Sequence, residues 1–251
     1  MTELRHYTEL DSTNAELRRL HPAGNLAIYA DHQTGGRGQR GNVWLSAPGE
    51  NLLFSMLWHP VDLPARLQFS LSEAVALAVV RLLEGYGVCA KVKWPNDIYV
   101  GDSKICGILI ENAVGVLLES SIIGIGLNLN QTDFPPSLPN PTSLALLYRV
   151  ENAGTHQGAS LQVADVAVRL LSHLETMLPL ASTEAGRDRL HAAYLASLYR
   201  HDGRQHPYRD PATGQVFRAI LADVEPTGLL HLLPPTGPRR FAFKQVEYIL
   251  P

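Results

Sequence analysis

Apolar positions in the first half of the chain switch between helical and strand-like spacing, and the switches mark elements. Leu4 to Tyr7 is short and mixed. After Ser12-Thr13-Asn14-Ala15-Glu16, Leu17 and Leu20 recur at helical spacing, with Thr13 and Glu16 placed as a capping box. Leu26 to Ala30 reads as a buried strand, Thr34 to Gly41 as a glycine-rich segment and Leu52 to Trp58 as another strand. Ser70 to Leu83 predicts a long helix, with Ser70 and Glu73 as a second capping box and Gly85 and Gly87 as its stop. Val88 to Trp94, Asp97 to Val100, Ile105 to Glu111, Gly115 to Leu118 and Ser121 to Leu127 follow as strand-like runs joined by polar turns. The expected product is a mixed sheet.

Phe134 to Pro141 carries four prolines, which supply no backbone donor, and reads as a surface connection. Thr142 to Tyr148, Ser160 to Met177 and Thr183 to Tyr199 have helical spacing, the last two forming an antiparallel pair across Pro179 to Ser182. Beyond Arg200 the texture changes. Val216 to Val224, Leu229 to Leu233, Arg240 to Phe243 and Val246 to Leu250 are short runs between Gly and Pro turns, as in a small barrel. The expected architecture is α+β: a mixed β-sheet with helices on one side over residues 1–200, then a small C-terminal β-barrel over 201–251.

Composition narrows the function classes. The chain has 251 residues, 45% of them hydrophobic, enough for one large domain with or without a small one. A net charge of −3 supplies no positive field to attract nucleic acid. Cys89 and Cys106 are the two cysteines and form no C-x-x-C pair, so neither a disulfide framework nor a thiolate zinc site is indicated. The N-terminal residues contain no apolar run suited to a signal peptide or membrane helix, and the expected location is the cytoplasm.

Four segments carry candidate chemistry. In Thr34-Gly35-Gly36-Arg37-Gly38-Gln39-Arg40-Gly41 the glycines let backbone N–H groups face an anion, and Arg37 and Arg40 add positive charge. Such a loop suits a carboxylate and a phosphate side by side, or is simply a flexible hairpin tip. It is not a P-loop, which needs G-K-[ST], nor a dinucleotide loop, which needs a helix directly after it. In Lys93-Trp94-Pro95-Asn96-Asp97 the proline stiffens a corner from which Asn96 and Asp97 project. Asp97 either helps hold Mg²⁺ on nucleotide phosphates or forms an ordinary Asn-Asp turn. Lys104 opens the apolar run Ile105 to Glu111, as a solvated edge charge or as a cation reaching into a cleft. Gly124-Ile125-Gly126-Leu127-Asn128 thins a strand, through a bulge or to let another group approach its backbone. No H-E-x-x-H or G-x-S-x-G pattern supports metal or serine hydrolysis.

In this order and spacing, these segments resemble the biotin protein ligase family, also called biotin–[acetyl-CoA-carboxylase] ligase. The resemblance rests on Ser12-Thr13-Asn14, Gln33 to Gly38, Gly41 to Ser46, Lys93 to Asp97, Lys104 to Glu111 and Gly124 to Asn128, across most of residues 7 to 130. It implies a class II synthetase-like catalytic domain that makes biotinyl-5′-AMP from biotin and ATP. Biotin then passes to a lysine of the biotin carboxyl carrier protein of acetyl-CoA carboxylase. Ser12, Thr13, Asn14 and Gln33 would bind the ureido ring, and Arg37, Gly38 and Gln39 would close over the biotin carboxylate. Trp44, Asn96, Asp97 and Asn128 would face ATP, Asp97 helping to place Mg²⁺. Lys104 would bridge carboxylate and α-phosphate, making Lys104 and Arg37 the catalytic pair. A homodimer is a further implication.

The chain departs from the family loop at Gln39, where an arginine is usual. Gln39 is therefore carried over only for backbone contact; either the loop holds the adenylate less tightly or Arg40 compensates. Asn42 stands where many members place a basic residue, so its contact with ATP is not carried over. Lipoate protein ligases are the nearest alternative, and a catalytically inactive biotin-binding module is another, opposed by Lys104 and Asp97. Some members add an N-terminal helix-turn-helix domain; with Ser12 so close to the start, the monofunctional type without DNA binding is expected.

Overall fold

Strand-like runs on both sides of the glycine-rich segment become neighbours inside a seven-stranded mixed sheet. The computed structural model describes residues 2–151 and 160–250. The strands are β1 (Glu3–Leu10), β2 (Leu26–Gln33), β3 (Asn51–Trp58), β4 (Lys91–Lys93), β5 (Asp97–Val100), β6 (Ser103–Val114) and β7 (Leu118–Asn128). Their spatial order is β1-β2-β3-β7-β6-β5-β4, with β1 parallel to β2 and the other neighbours antiparallel. A parallel pair needs a crossover, and α1 (Thr13–Leu20) supplies it.

Every residue of β3 is buried because both faces of the sheet are covered. Leu52, Phe54, Met56 and Trp58 join the main core, into which α2 (Phe69–Glu84) and α4 (Val163–Met177) pack. Ser55 and Leu57 face α1 instead, where Leu17 packs against Leu26, Ile28 and Leu57. α3 (Leu144–Glu151) follows the proline-rich connection, and α5 (Glu184–Ser197) completes the helical layer. The long helices thus lie on one side as expected, while short α1 lies on the other, with the site.

Several expectations are corrected. Gly115 to Leu117 is the turn of the β6–β7 hairpin, closed by the Gly115 N–H on the Leu117 carbonyl, and no separate strand spans Gly115 to Leu118. Only Lys91–Lys93 of the run Val88 to Trp94 is strand. Neither capping box forms. The Thr13 hydroxyl bonds Gln33, the Ser70 hydroxyl donates to the Leu67 carbonyl, and Glu73 turns inward to His191. α4 and α5 each pack on α2 instead of chiefly on one another.

The C-terminal sheet has the order β11-β10-β9-β8-β12, made from β8 (Gln205–Arg209), β9 (Val216–Val224), β10 (Leu230–Leu233), β11 (Arg239–Phe241) and β12 (Glu247–Tyr248). Its strand pairing runs from β11 to β12 as a sheet; among the described residues these ends do not pair into a ring. β8 escaped the sequence reading because Gln205-His206-Pro207-Tyr208-Arg209 contains one large inward residue and a proline. Proline is tolerated because β12 pairs only as far as Tyr208, and the Pro207 carbonyl still accepts from the Ile249 N–H. Tyr208, Leu221, Leu230 and Phe241 of this sheet share one continuous core with Trp94 and α2.

Glu73 is only 3% exposed. His191 Nδ1 lies 2.8 Å from its carboxylate and Nε2 lies 3.4 Å from Asp223, tying α2, α5 and β9 together. Burial pushes the Glu73 pKa up, opposed by His191 and reinforced by Asp223. A carboxyl that titrates higher in the folded state than in the unfolded chain holds extra protons there, so its contribution to stability falls as pH rises through that interval. Glu73→Gln is expected to remove this negative slope, as measured by urea unfolding at a series of pH values from the acidic to the neutral range. An unchanged slope would contradict it.

Candidate active site

A cavity of about 590 Å³ opens on the α1 side of the main sheet, and its floor is bare backbone. Gly107 of β6 and Gly126 of β7 are directly paired, and Gly124 is one step along the same face. A Cβ on Gly126 would come within 2.7 Å of Trp44 Nε1, and one on Gly107 within 2.8 Å of Trp44 Cζ3. The Trp44 indole therefore lies against the sheet. A Cβ on Gly124 would come within 3.1 Å of Asn14 Cγ. The expected close approach to Gly124 and Gly126 is present; Gly107, the partner across the ladder, was not anticipated.

The glycine-rich segment is a small hairpin. The Trp44 N–H donates to the Gly36 carbonyl (3.1 Å), the Gly38 N–H donates to the Asn42 carbonyl (2.7 Å), and Arg37 pairs with Val43. A tight turn at Gln39–Gly41 reverses the chain, with Gly41 at φ +88°. A Cβ on Gly36 would sit 2.5 Å from the Trp44 carbonyl oxygen, so the two strands approach more closely than a side chain permits. Arg37, Gly38 and Gln39 line the cavity, and exposed Arg37 has no ion pair among the described residues. The Gln39 side chain also reaches inward: its Oε1 is buried and has no hydrogen-bond partner among the described residues. The question of Arg40 compensating falls on a side chain outside the described residues.

One end of the cavity is neutral and polar. Ser12, Thr13 and Asn14 come from the start of α1 and Gln33 from the end of β2. Gln33 Oε1 accepts from the Thr13 N–H (2.7 Å) and hydroxyl (3.0 Å). Ser55 Oγ lies 2.6 Å from both Thr13 Oγ1 and Asn14 Oδ1. Ser55 and Thr13 carry one hydroxyl hydrogen each, so two hydrogens serve three oxygen–oxygen contacts, and this end has acceptors in surplus. Asn14 Nδ2 donates to Glu111, which Arg18 holds from outside, and this fixes which end of the amide faces inward. Ser55 and Glu111 do not line the cavity but hold Thr13 and Asn14 from behind, a support that was not anticipated, although a lone hydroxyl within Leu52-Leu53-Phe54-Ser55-Met56-Leu57 was the available signal.

The opposite end is charged. Lys104 Nζ lies 2.6 Å from Asp97 and 5.7 Å from the Trp44 ring centre. Lys93, also missed, lies between two rings, 5.2 Å from the centre of Tyr99 and 4.9 Å from that of Tyr248. Burial pushes the Lys93 pKa down, Asp97 opposes this, and Lys104 and Arg200 add to it. Asn96 is clamped to β6, its Nδ2 donating to the Ile108 carbonyl and its own carbonyl accepting from the Ile108 N–H. Trp94 Nε1 donates to the Gly228 carbonyl (3.0 Å), tying this corner to the C-terminal sheet. Phe243, Lys244, Glu247 and Tyr248 complete the wall.

Of the expected residues, Ser12, Thr13, Asn14, Gln33, Arg37, Gly38, Gln39, Trp44, Asn96, Asp97 and Lys104 line one cavity. Asn128 does not. It is buried two residues beyond Gly126, its Nδ2 donates to the Thr142 carbonyl, and its Oδ1 has no partner among the described residues. That bond ties β7 to the segment preceding α3, a structural use of the side chain that spacing did not reveal. The described residues contain no cluster of three or more His, Cys, Asp or Glu side chains placed to hold a metal. A single Asp97 carboxylate still suits a magnesium ion held mainly by phosphates and water.

Gly126→Ala is expected to displace the Trp44 indole and to cost about 1–3 kcal/mol through overpacking. The three atoms nearest a Cβ on Gly126 all belong to Trp44, whereas Trp58 and Trp94 are buried and not among them, so the change in tryptophan emission should track Trp44. An unaltered spectrum would show that the ring does not rest there.

Comparison with known proteins finds relatives of both the sequence and the fold. Residues 7–128 match the model of the biotin/lipoate A/B protein ligase family. The bifunctional ligase/repressor BirA of Bacillus subtilis is 39% identical over 156 residues, covering 59% of this chain and 46% of that protein. The biotin–[acetyl-CoA-carboxylase] ligase of Paracoccus denitrificans is 36% identical over 124 residues, covering 47% and 51%. The chain thus spans about half the length of these curated relatives. The biotin protein ligase of Aquifex aeolicus, solved in complex with biotin and ATP, superposes with a TM-score of 0.76 over 100% of both chains at 23% identity, which shows a shared fold. Residues 7–128, which carry α1, the glycine hairpin and the glycine floor, are a domain of the biotin/lipoate A/B protein ligase family.

Proposed function

We propose that this chain activates biotin with ATP as biotinyl-5′-AMP and transfers biotin to a lysine of a biotin carboxyl carrier protein of acetyl-CoA carboxylase. The observation that carries the reading is the order of groups along the bare floor: the acceptor-rich end at Gly124, the Trp44 indole over Gly107 and Gly126, then Lys104 and Asp97. A ureido ring offers N–H donors to Gln33, Thr13 and Asn14, which line the cavity, whereas the dithiolane of lipoate offers none. This supports biotin over lipoate.

In the adenylation step the biotin carboxylate attacks the α-phosphorus and pyrophosphate leaves. Lys104 lies where it offsets charge on the carboxylate and α-phosphate once its hold on Asp97 loosens, and Lys93 adds a second cation. Arg37, exposed on the hairpin and without an ion pair among the described residues, closes over the carboxylate. Asp97 would help hold Mg²⁺, which when bound withdraws charge from the phosphates. Trp44 and Asn96 frame the nucleotide, and the bound adenylate is kept from water by the hairpin and the C-terminal wall.

We further propose a catalytic unit over residues 1–200 and a C-terminal unit over 201–251 that closes the nucleotide end, supported by Phe243 and Tyr248 in the cavity wall. A cytoplasmic location fits the activity; no helix among the described residues is long and apolar enough to cross a membrane. A homodimer would use an open sheet edge such as β1.

The test is biotin- and magnesium-dependent exchange of labelled pyrophosphate into ATP, with lipoate in parallel. Lys104→Ala and Arg37→Ala should each lower exchange by about 100-fold or more while the circular dichroism spectrum is retained. Exchange driven by lipoate alone, or variants that exchange at the wild-type rate, would refute the assignment.

A further inference from the structure

A second cavity of about 310 Å³ adjoins the first, and both have Gln39, Trp94, Pro95, Asn96, Ile108 and Phe243 in their walls. Its remaining lining comes from the first turn of α2 (Gln68, Phe69, Ser72), from β6 (Ile110, Asn112) and from Thr227 to Leu229 and Ala242 of the C-terminal sheet. No charged side chain appears among these described residues. That separates it sharply from the first cavity, which contains Arg37, Lys93, Asp97 and Lys104. A groove without cations is unsuited to a triphosphate. One without carboxylates does not lock an entering amine in its protonated, non-nucleophilic form, and the positive end of α2 also disfavours the ammonium.

The adenylation step leaves one reactant unplaced. The mixed anhydride forms in the first cavity, and the acceptor lysine must reach its carbonyl carbon on a four-carbon apolar stem with the amine uncharged on arrival. Phe69, Ile108, Ile110 and Leu229 provide apolar walls for such a stem. Gln39 stands at the partition between the chambers, and its buried Oε1 has no hydrogen-bond partner among the described residues. An unanchored amide can rotate aside, and its carbonyl can accept an N–H of the incoming amine while leaving the nitrogen lone pair free.

We propose that this uncharged groove is the entry path of the acceptor lysine and that Gln39 is the positioning residue at its inner end. The inference rests on the ligase reading above. In the transfer step the amine lone pair forms the amide C–N bond and the acyl C–O bond breaks, its electron pair leaving with AMP. The surplus proton on nitrogen is released to water.

Ser72 is half-buried, lines this groove and does not line the first cavity, so it is the position to alter. Ser72→Phe narrows the path. Pyrophosphate exchange with biotin should stay at the wild-type rate, while single-turnover transfer from preformed adenylate to a biotin carboxyl carrier domain falls roughly 100-fold, the loss expected from a misplaced nucleophile. Ser72→Asp should leave exchange intact and move the pH profile of transfer upward by about one unit or more, because a carboxylate in the groove raises the pKa of the amine. Wild-type transfer in Ser72→Phe with an unshifted profile in Ser72→Asp would overturn the groove assignment while leaving the ligase reading in place. Absence of exchange in the unaltered protein would instead refute the ligase reading itself.

Discussion

The contact on which the site depends is that of the Trp44 indole with the paired backbones of Gly107 and Gly126. Without side chains on these two neighbouring strands, an aromatic ring can lie flat on the sheet, and the hairpin that carries Trp44 is brought over the cavity. Arg37, Gly38 and Gln39 are then placed above the floor between the polar and charged ends. Close packing of a ring on a strand is sensitive to single atoms, so the position of the loop is set by the absence of two Cβ groups.

The two ends of the cavity are built differently. The polar end is rigid: Gln33, Thr13, Ser55, Asn14, Glu111 and Arg18 form one chain of hydrogen bonds across α1 and three strands. Its specificity lies in an excess of acceptors. The charged end is balanced, with Asp97 pairing Lys104 and Lys93 screened between Tyr99 and Tyr248. An anion entering there competes with Asp97 for Lys104, and the partly desolvated Lys93 gains from a new counter-charge. One end therefore recognises shape and donors, while the other responds to charge.

Much of this was legible in the sequence because local physics sets it. Strand-like runs became strands at Asp97–Val100 and Val216–Val224 with the expected bounds, and Gly124 and Gly126 admitted neighbouring groups as their missing side chains allow. What escaped depended on long-range pairing. Gly107 matters only because register sets it beside Gly126, and Lys93 is a site residue only because Tyr248, from a strand far along the chain, packs over it. Both capping boxes failed for the same reason: α1 begins at Thr13 and α2 at Phe69, so Thr13 and Ser70 lie inside the first turn, and Thr13 and Glu73 bond Gln33 and His191 instead. Gln39 appeared in sequence as a lost charge, and its unpartnered carbonyl became visible only with both cavities around it.

The bare floor also makes the response to sequence change one-sided. At Gly107, Gly124 and Gly126 every substitution adds atoms and none removes any, so no replacement there can open a void. Harm at these positions arises from excess volume, and relief must come from the facing side chain, by a smaller ring at position 44 or a shorter side chain at position 14. The floor and its two covering residues are therefore coupled in volume, so that a larger residue below calls for a smaller one above.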